Sequence, residues 1–406
     1  MYDICEIASG IFLTGVNDRE SDLFESIWPL PRGISYNAYL IQSEKITLVD
    51  TVKKTHLDSY VQKILHLIPS GRTVDYLIIN HIEPDHSGAI PVLKSLFPRM
   101  KIVGNKKTAD LLKGFYKISE DIVVVQDGDT LDLGAHRLSF HITPMVHWPE
   151  TMMTYDEQCH VLFSGDAFGG FGTLDGGVFD DELEISYYEN ELLRYFSNII
   201  GKFSPMVQKA IQKLNHLAID ILATTHGPVW RTHPEYVIGK YDLWSRYLAE
   251  QGVVIAYASM YGNTLKMAEA VARGASLGGI RQIRMHDVST SHPSYIIRDA
   301  WRYKGIILGS CTYEVGLFPL MRQLVELFEE KALRNRGLGI FGTYGWSGGA
   351  VKGLKEFAVK SRWSLVEPVI EVHCSASPEQ LEECVLLGRT LAEHVLSEPE
   401  NPAHQK

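Results

Sequence analysis

The chain has 406 residues, 45% of them hydrophobic, more than one core ordinarily supports, so two domains are expected. A formal charge of -10 and a sequence pI near 5.9 argue against a nucleic-acid partner, whose backbone is bound through clustered Lys and Arg. Five cysteines (Cys5, Cys159, Cys311, Cys374, Cys384) form no C-x-x-C pair, the N-terminus has no basic-then-apolar leader, and no apolar run spans a bilayer. A disulfide framework, a zinc ribbon, export and membrane insertion are therefore not expected, and a reducing cytoplasm is.

Up to about residue 250 the pattern predicts short strands joined by long loops: Ile46–Val49, Leu77–Asn80, Ile122–Val125, Leu138–Ile142, Val161–Ser164 and Ile221–Thr224. The apolar run from Val74 to Asn80 leads directly into His81-Ile82-Glu83-Pro84-Asp85-His86. His147, Asp166 and His226 likewise follow predicted strands. Any one of these histidines alone reads as a surface or structural residue. Four imidazoles and three carboxylates at strand ends are different, because gathering them in a dry pocket is costly without a cation. A His and carboxylate set without thiolate suits iron or manganese better than zinc. With Asp166 bridging, the seven side chains give four contacts to each of two metals and leave an open position between them. His136, His141, His160, His216 and His233 read as ordinary surface or structural residues.

The rhythm changes near Glu250–Gly252, which divides a domain over residues 1–250 from one over 251–406. Apolar strands at Val253–Ala258, Gln282–His286, Ile306–Gly309, Gly339–Gly342 and Val366–Val372 alternate with amphipathic helices. Such alternation predicts a parallel, doubly wound, flavodoxin-like sheet of five strands. Glu398 to Lys406 reads as a frayed tail.

Three loops of this half form a second constellation. Ser259, Met260, Tyr261, Gly262, Asn263 and Thr264 open a helix, where backbone N–H groups, hydroxyls and the positive dipole end suit a phosphate. Ser310, Cys311, Thr312 and Tyr313 follow the third strand, and Thr343, Tyr344, Gly345, Trp346, Ser347, Gly348 and Gly349 follow the fourth. Glycines allow close approach to a ring and the aromatics can stack on it, so the three loops together predict an FMN cradle. The absence of a G-x-G-x-x-G fingerprint argues against a tightly bound nicotinamide cofactor.

His81-x-Glu83-x-Asp85-His86 resembles the metallo-beta-lactamase signature H-x-H-x-D-H with Glu83 in place of the second His, the mark of the flavodiiron proteins. His147-Trp148-Pro149, Gly165-Asp166-Ala167-Phe168 and His226-Gly227-Pro228-Val229-Trp230 resemble that family too, and the likeness covers roughly residues 3 to 395. It implies a metallo-beta-lactamase-like αββα sandwich followed by the flavodoxin-like sheet. It also implies iron held by His81, Glu83, His147 and Asp166, and a second iron held by Asp85, His86, Asp166 and His226. The family's reaction is reduction of dioxygen to water or of nitric oxide to nitrous oxide, with FMN relaying electrons. The resemblance further implies a head-to-tail homodimer or a dimer of dimers, with Glu83 and the Trp148 loop nearest the partner's flavin. Neither a rubredoxin nor a flavin reductase domain is seen, so a separate donor is expected: rubredoxin, or in methanogens the reduced deazaflavin coenzyme. Tyr195 or a bound water would bring protons. One departure stands out: many members carry His eight residues before the Arg of Arg32-Gly33-x-Ser35-Tyr36-Asn37, where this chain has Phe24. The rival readings are a hydrolase using metal-bound hydroxide, which Glu83 and the flavin half oppose, and a flavin electron carrier, which the complete ligand set opposes.

Overall fold

The β-branched and leucine-rich runs of the first half become two sheets whose inner faces share one core, in the computed structural model, which describes residues 4–397. The first sheet has seven strands in the order Cys5–Ala8, Ile11–Leu13, Tyr39–Ile41, Ile46–Val49, Val74–Ile78, Lys101–Gly104 and Ile122–Val124. Its first four strands pair antiparallel and its last four parallel. The second sheet runs Thr130–Asp132, Arg137–Ile142, Met152–Asp156, Val161–Gly165 and Ile221–Thr224, antiparallel except for the last pair. Ile78 and Val103 from one sheet meet Phe140, Met152 and Phe163 from the other in the fully buried centre. Amphipathic helices such as Leu57–Leu67 and Lys106–Tyr116 cover the outside, completing the αββα sandwich.

Chain contacts divide the molecule into two compact units, one running to Phe196 and including Phe203–Asp242, the other comprising Ser197–Lys202 and the chain from Leu243 onward. The second unit is a doubly wound sheet in the order Ile283–Asp287, Glu250–Ala258, Tyr303–Tyr313, Gly337–Tyr344, every neighbour parallel. The fifth position, expected as one strand over Val366–Val372, is shared by Ser364–Leu365 and Ile370–His373. Pro368 sits in the gap, where a residue without an N–H cannot join the ladder. A further strand, Gly316–Leu317, folds back antiparallel on the end of Tyr303–Tyr313. Helices Asn263–Leu277 and Pro378–Ser397 pack side by side, with Gly274 so close to Val385 O that an added Cβ would lie 2.0 Å from it. The frayed tail read from Glu398 onward lies outside the described residues. No helix among the described residues is long and apolar enough to cross a membrane.

Candidate functional site

The strand Val74–Ile78 ends at a polar hinge that aims the next residues. Asn80 receives both sheets at once: its N–H donates to Asp50 Oδ1 at 2.8 Å, Thr154 Oγ1 donates to its Oδ1 at 2.7 Å, and Met152 N donates to its carbonyl at 3.0 Å. His81 follows, then Glu83, then the single helical turn Pro84–Ser87 that carries Asp85 and His86. Pro84 suits the first helical position, where the missing N–H costs nothing. His147 comes from the loop between Arg137–Ile142 and Met152–Asp156. Asp166 and His226 leave the neighbouring parallel strands Val161–Gly165 and Ile221–Thr224, whose ends are in register at Gly165 and Thr224.

All seven predicted ligands meet. His81, Glu83, His147 and Asp166 bring one ligand atom each to within 4.8 Å of one another, and so do Asp85, His86 and His226. Asp166 faces both groups with one oxygen apiece. Its Oδ2 lies 3.0 Å from His147 Nε2 and 3.7 Å from His81 Nε2, while its Oδ1 lies 2.8 Å from His86 Nε2 and 3.6 Å from His226 Nε2. The imidazoles of His86 and His226 stand 4.7 Å apart, centroid to centroid.

The polar accounting within this cluster does not close. Both oxygens of Asp85, both nitrogens of His86 and Nε2 of His226 are buried without a hydrogen bond among the described residues. Yet His86 Nε2 is 2.8 Å from Asp166 Oδ1 and 3.3 Å from Asp85 Oδ2. Nitrogen and oxygen this close but off the hydrogen-bonding direction are aimed past each other at a common point, as ligands of one cation are. The donor set therefore fits two metal ions.

Electrostatics of the protein alone point the same way. Burial disfavours charge on His81, Glu83, His86, His147 and Asp166, but mutual pairing outweighs it. Glu150 and Glu83 hold the His81 imidazolium well above its ordinary range, and His86 and His147 are both pushed up to about 9, chiefly against burial, by Asp85 and Asp166 and by Asp166 and Glu83 respectively. The histidines in turn hold Glu83 and Asp166 well below the usual carboxylate range. A metal would compete with protons for the imidazole lone pairs of His81, His86 and His147.

Several supporting residues carry no motif. Glu150, fully buried, accepts from His81 Nδ1 at 2.7 Å and from Ile82 N at 3.2 Å, and the imidazole holds its carboxyl below the usual range despite burial. Ser35 O takes His226 Nδ1 at 2.7 Å, and Asn37 Nδ2 donates to Thr224 O and Gly227 O. Thr225 donates its hydroxyl to Asp166 Oδ1 at 2.7 Å. Asp50, pushed up to about 6 by burial, accepts from Asn80. The signal available in the sequence was position next to a strand end, which Asp50 and Glu150 share with many residues that do nothing.

Three aromatic rings enclose His226: Phe24 at 5.6 Å, Tyr36 at 5.7 Å and Tyr195 at 5.5 Å between centroids. Tyr195 is fully buried and its hydroxyl has no hydrogen-bond partner among the described residues. Burial and the field of Asp166 push that hydroxyl's pKa well above its usual value. A cavity of about 400 Å³ opens beside the cluster, lined by Leu23, Phe24, Tyr36, Lys53, Glu83 and Asp85 among others.

The second constellation assembles in its own unit. Ala258, Ser310 and Gly342 are level across the three central strands, so the three predicted loops leave the same edge. Ser259 Oγ accepts from Gly262 N at 3.1 Å, closing the turn that opens the helix Asn263–Leu277, with Gly262 at φ +85. Thr264 and Thr343 share a hydroxyl contact of 2.9 Å that ties the first loop to the third, and Thr312 Oγ1 accepts from Ala350 N at 3.2 Å, tying the second to the helix after the third. Ser310 and Cys311 are buried; Ser310 turns inward, its hydroxyl donating to Cys311 O and accepting from Phe318 N. Tyr261 and Trp346 stand out at 88% and 82% exposure, with Met260 and Tyr313 partly exposed beside them, and Tyr344 packs on His373. Gly345 O accepts from His373 Nε2, Gly348 lies against the Glu371 carboxylate, and Ser347 makes only a local contact. Gly349, at φ +150, lies where a Cβ would be 2.1 Å from Val315 O.

His136 is buried and bonded to Asp156 at 2.8 Å, with Cys159 alongside; Asp156 also accepts from Gln158 N and Cys159 N, so this group is a satisfied turn clamp.

Comparison with known proteins agrees with both halves. A family described as "ODP family beta lactamase" matches residues 34–227, and the flavodoxin family matches residues 255–388. An Escherichia coli protein named anaerobic nitric oxide reductase flavorubredoxin is 34% identical over 394 residues, covering 95% of this chain and 81% of its own. The rubredoxin oxygen:oxidoreductase from Desulfovibrio gigas superposes with a TM-score of 0.93 at 28% identity, covering 97% of this chain and 99% of its own. The flavodiiron protein from Giardia intestinalis does so with a TM-score of 0.93 at 25% identity, covering 98% of each chain. The chain belongs to the flavodiiron protein family. It is an oxidoreductase with a metallo-beta-lactamase-like domain and a flavodoxin-like domain, and flavodiiron proteins carry FMN and a non-haem diiron centre.

Proposed function

We propose that this flavodiiron protein reduces dioxygen, nitric oxide or both at two irons, one held by His81, Glu83, His147 and Asp166, the other by Asp85, His86, Asp166 and His226. The observation that carries the reading is the set of buried, mutually facing but unbonded ligand atoms of Asp85, His86 and His226 beside Asp166. When bound, FMN would accept electrons from an outside donor and relay them, and the iron pair would supply the multi-electron chemistry that reduction of either gas requires. The loops at 259–264, 310–313 and 343–349 are the proposed flavin cradle: the turn at Ser259–Thr264 meets the phosphate, and Tyr313, Tyr344 and Trp346 face the ring. The metal domain is taken as residues 1–250 and the flavin domain as 251–406.

The chain's own residues have distinct tasks. Asp166 turns Oδ2 towards His81 and His147 and Oδ1 towards His86 and His226, so it would be held in common by both metals. Phe24 and Tyr36 pack on His226 and also line the cavity, where their rings give a small uncharged molecule an apolar surface beside Glu83 and Asp85. The Tyr195 hydroxyl, packed against His226 and without a hydrogen-bond partner among the described residues, would be free to donate a hydrogen bond towards the metal cluster. Its raised pKa keeps it protonated for that role. Electron transfer between cofactors is proposed to occur across a head-to-tail homodimer, or a dimer of dimers. The donor is a rubredoxin or reduced deazaflavin coenzyme, and the location is the cytoplasm.

Anaerobically reduced, iron-loaded protein tests the reading by its consumption of dioxygen and of nitric oxide, measured separately, with Asp85→Ala as control. Rapid loss of a gas in the wild type and not in the variant is expected. Full reduction of flavin with iron present and neither gas consumed would defeat the proposal in favour of an electron carrier, and zinc-dependent hydrolysis without a redox response would favour a hydrolase.

A further inference from the structure

The two proposed iron sites have the same ligands by count and charge: two imidazoles, one terminal carboxylate and one oxygen of Asp166 each. Any inequality between them has to come from what the ligands themselves touch. There the two sites part. His81 Nδ1 is bonded to the Glu150 carboxylate at 2.7 Å, and Glu150 is fully buried, so no water screens its charge. On the other side, His226 Nδ1 meets the neutral carbonyl of Ser35 at 2.7 Å, and His86 Nδ1 has no hydrogen-bond partner among the described residues.

We infer that Glu150 makes the iron pair electronically unequal, so that the iron held by His81, Glu83 and His147 is the more easily oxidised of the two. A carboxylate hydrogen-bonded to the far nitrogen of a ligating imidazole fixes Nε2 as the metal-binding nitrogen and makes it a stronger electron donor. The added negative charge stabilises the ferric over the ferrous state at that metal. Around His226 the three rings of Phe24, Tyr36 and Tyr195 offer no such charge, and the buried Asp50 near His86 accepts its hydrogen bonds from Asn80 and the backbone N–H of His81 rather than from a ligand imidazole, which leaves that iron ferrous at potentials where its neighbour has already given up its electron. Glu150 is thus a positioning residue that acts through His81. Its own backbone is fastened, since Asn105 donates its side-chain N–H to Glu150 O, so the carboxylate is delivered from a fixed loop.

This inference rests on the ligand assignment proposed above. The test is an anaerobic redox titration of iron-loaded protein followed by the electron paramagnetic resonance of the half-oxidised pair, with iron counted in the same samples, for the wild type, Glu150→Gln and Glu150→Ala. The wild type is expected to lose its two electrons in separate steps, so the half-oxidised state accumulates. Glu150→Gln keeps the shape and removes the charge; the first oxidation moves to higher potential, the steps converge and the half-oxidised population falls severalfold. Glu150→Ala is expected to weaken one of the two irons about 10- to 100-fold and leave the other bound. Should Glu150→Ala fail to fold, the Gln variant decides alone. If Glu150→Gln binds two irons with both steps unmoved, the inference is overturned, and Glu150 merely holds its loop. Fewer than two irons in the wild type would overturn the ligand assignment, and the inference with it.

Discussion

Asp85 has two buried oxygens that nothing in the described protein satisfies, and burying a carboxylate in this way is costly without a cation. Asp85→Ala therefore removes one metal rather than the fold: iron content is expected to drop from two towards one per chain while flavin absorbance is unchanged. Tyr195 is the opposite case, an unpaired hydroxyl that touches no ligand by hydrogen bond. Tyr195→Phe should retain both irons and lower gas turnover roughly 100- to 1,000-fold, the usual scale for losing one preorganised donor. Loss of iron in that variant would make Tyr195 structural. The seven side chains that meet were legible because they follow apolar runs and their residue types make sense only together. Glu150, Ser35, Asn37 and Asp50 were not, because what they do depends on contacts between residues far apart in sequence, such as the pairing of Glu150 with His81 and of Ser35 with His226.

At the level of elements, period and punctuation carried most of the reading. Alternation of buried strands with amphipathic helices announced the flavodoxin-like sheet, and its central strands lie where apolar runs predict them. The single strand expected over Val366–Val372 failed at Pro368, whose missing N–H divides it. The short return strand Gly316–Leu317 has no pattern of its own and exists because it pairs back on Thr312–Tyr313. That return fixes the second loop against the third: Val315 O sits where Gly349 would carry a Cβ. Gly349→Ala must shift both loops, and is expected to destabilise the flavin domain by about 2 kcal/mol or more and to release FMN. Flavin absorbance after gel filtration, together with unchanged iron content, checks it; tight FMN retention would mean these loops do not form the cradle.

For the whole molecule, metal and pH are linked through the buried histidines. Without metal, His86 and His147 are pushed up to about 9 by their carboxylate neighbours, against about 6.5 when unfolded, so the native state binds protons more tightly. Stability from this source is complete below about pH 6.5 and is lost as pH rises through 9. Chelated protein should lose up to about 6 kcal/mol between pH 6.5 and 9.5, seen as a falling denaturation midpoint. Iron-loaded protein should show the reverse tendency, since the metal displaces those protons and binds more tightly as pH rises. A metal-free protein whose stability is flat over this range would mean the imidazoles are neutral and the cluster less tightly coupled than its distances imply.

The central claim is that seven side chains from four strand ends make one two-iron centre. Iron and flavin counted per chain, with Mössbauer spectra of protein loaded with ⁵⁷Fe, test it most directly. Two irons and one FMN per chain are expected, the irons magnetically coupled through a shared ligand. One iron per chain, two uncoupled irons, or zinc held in preference to iron would contradict it.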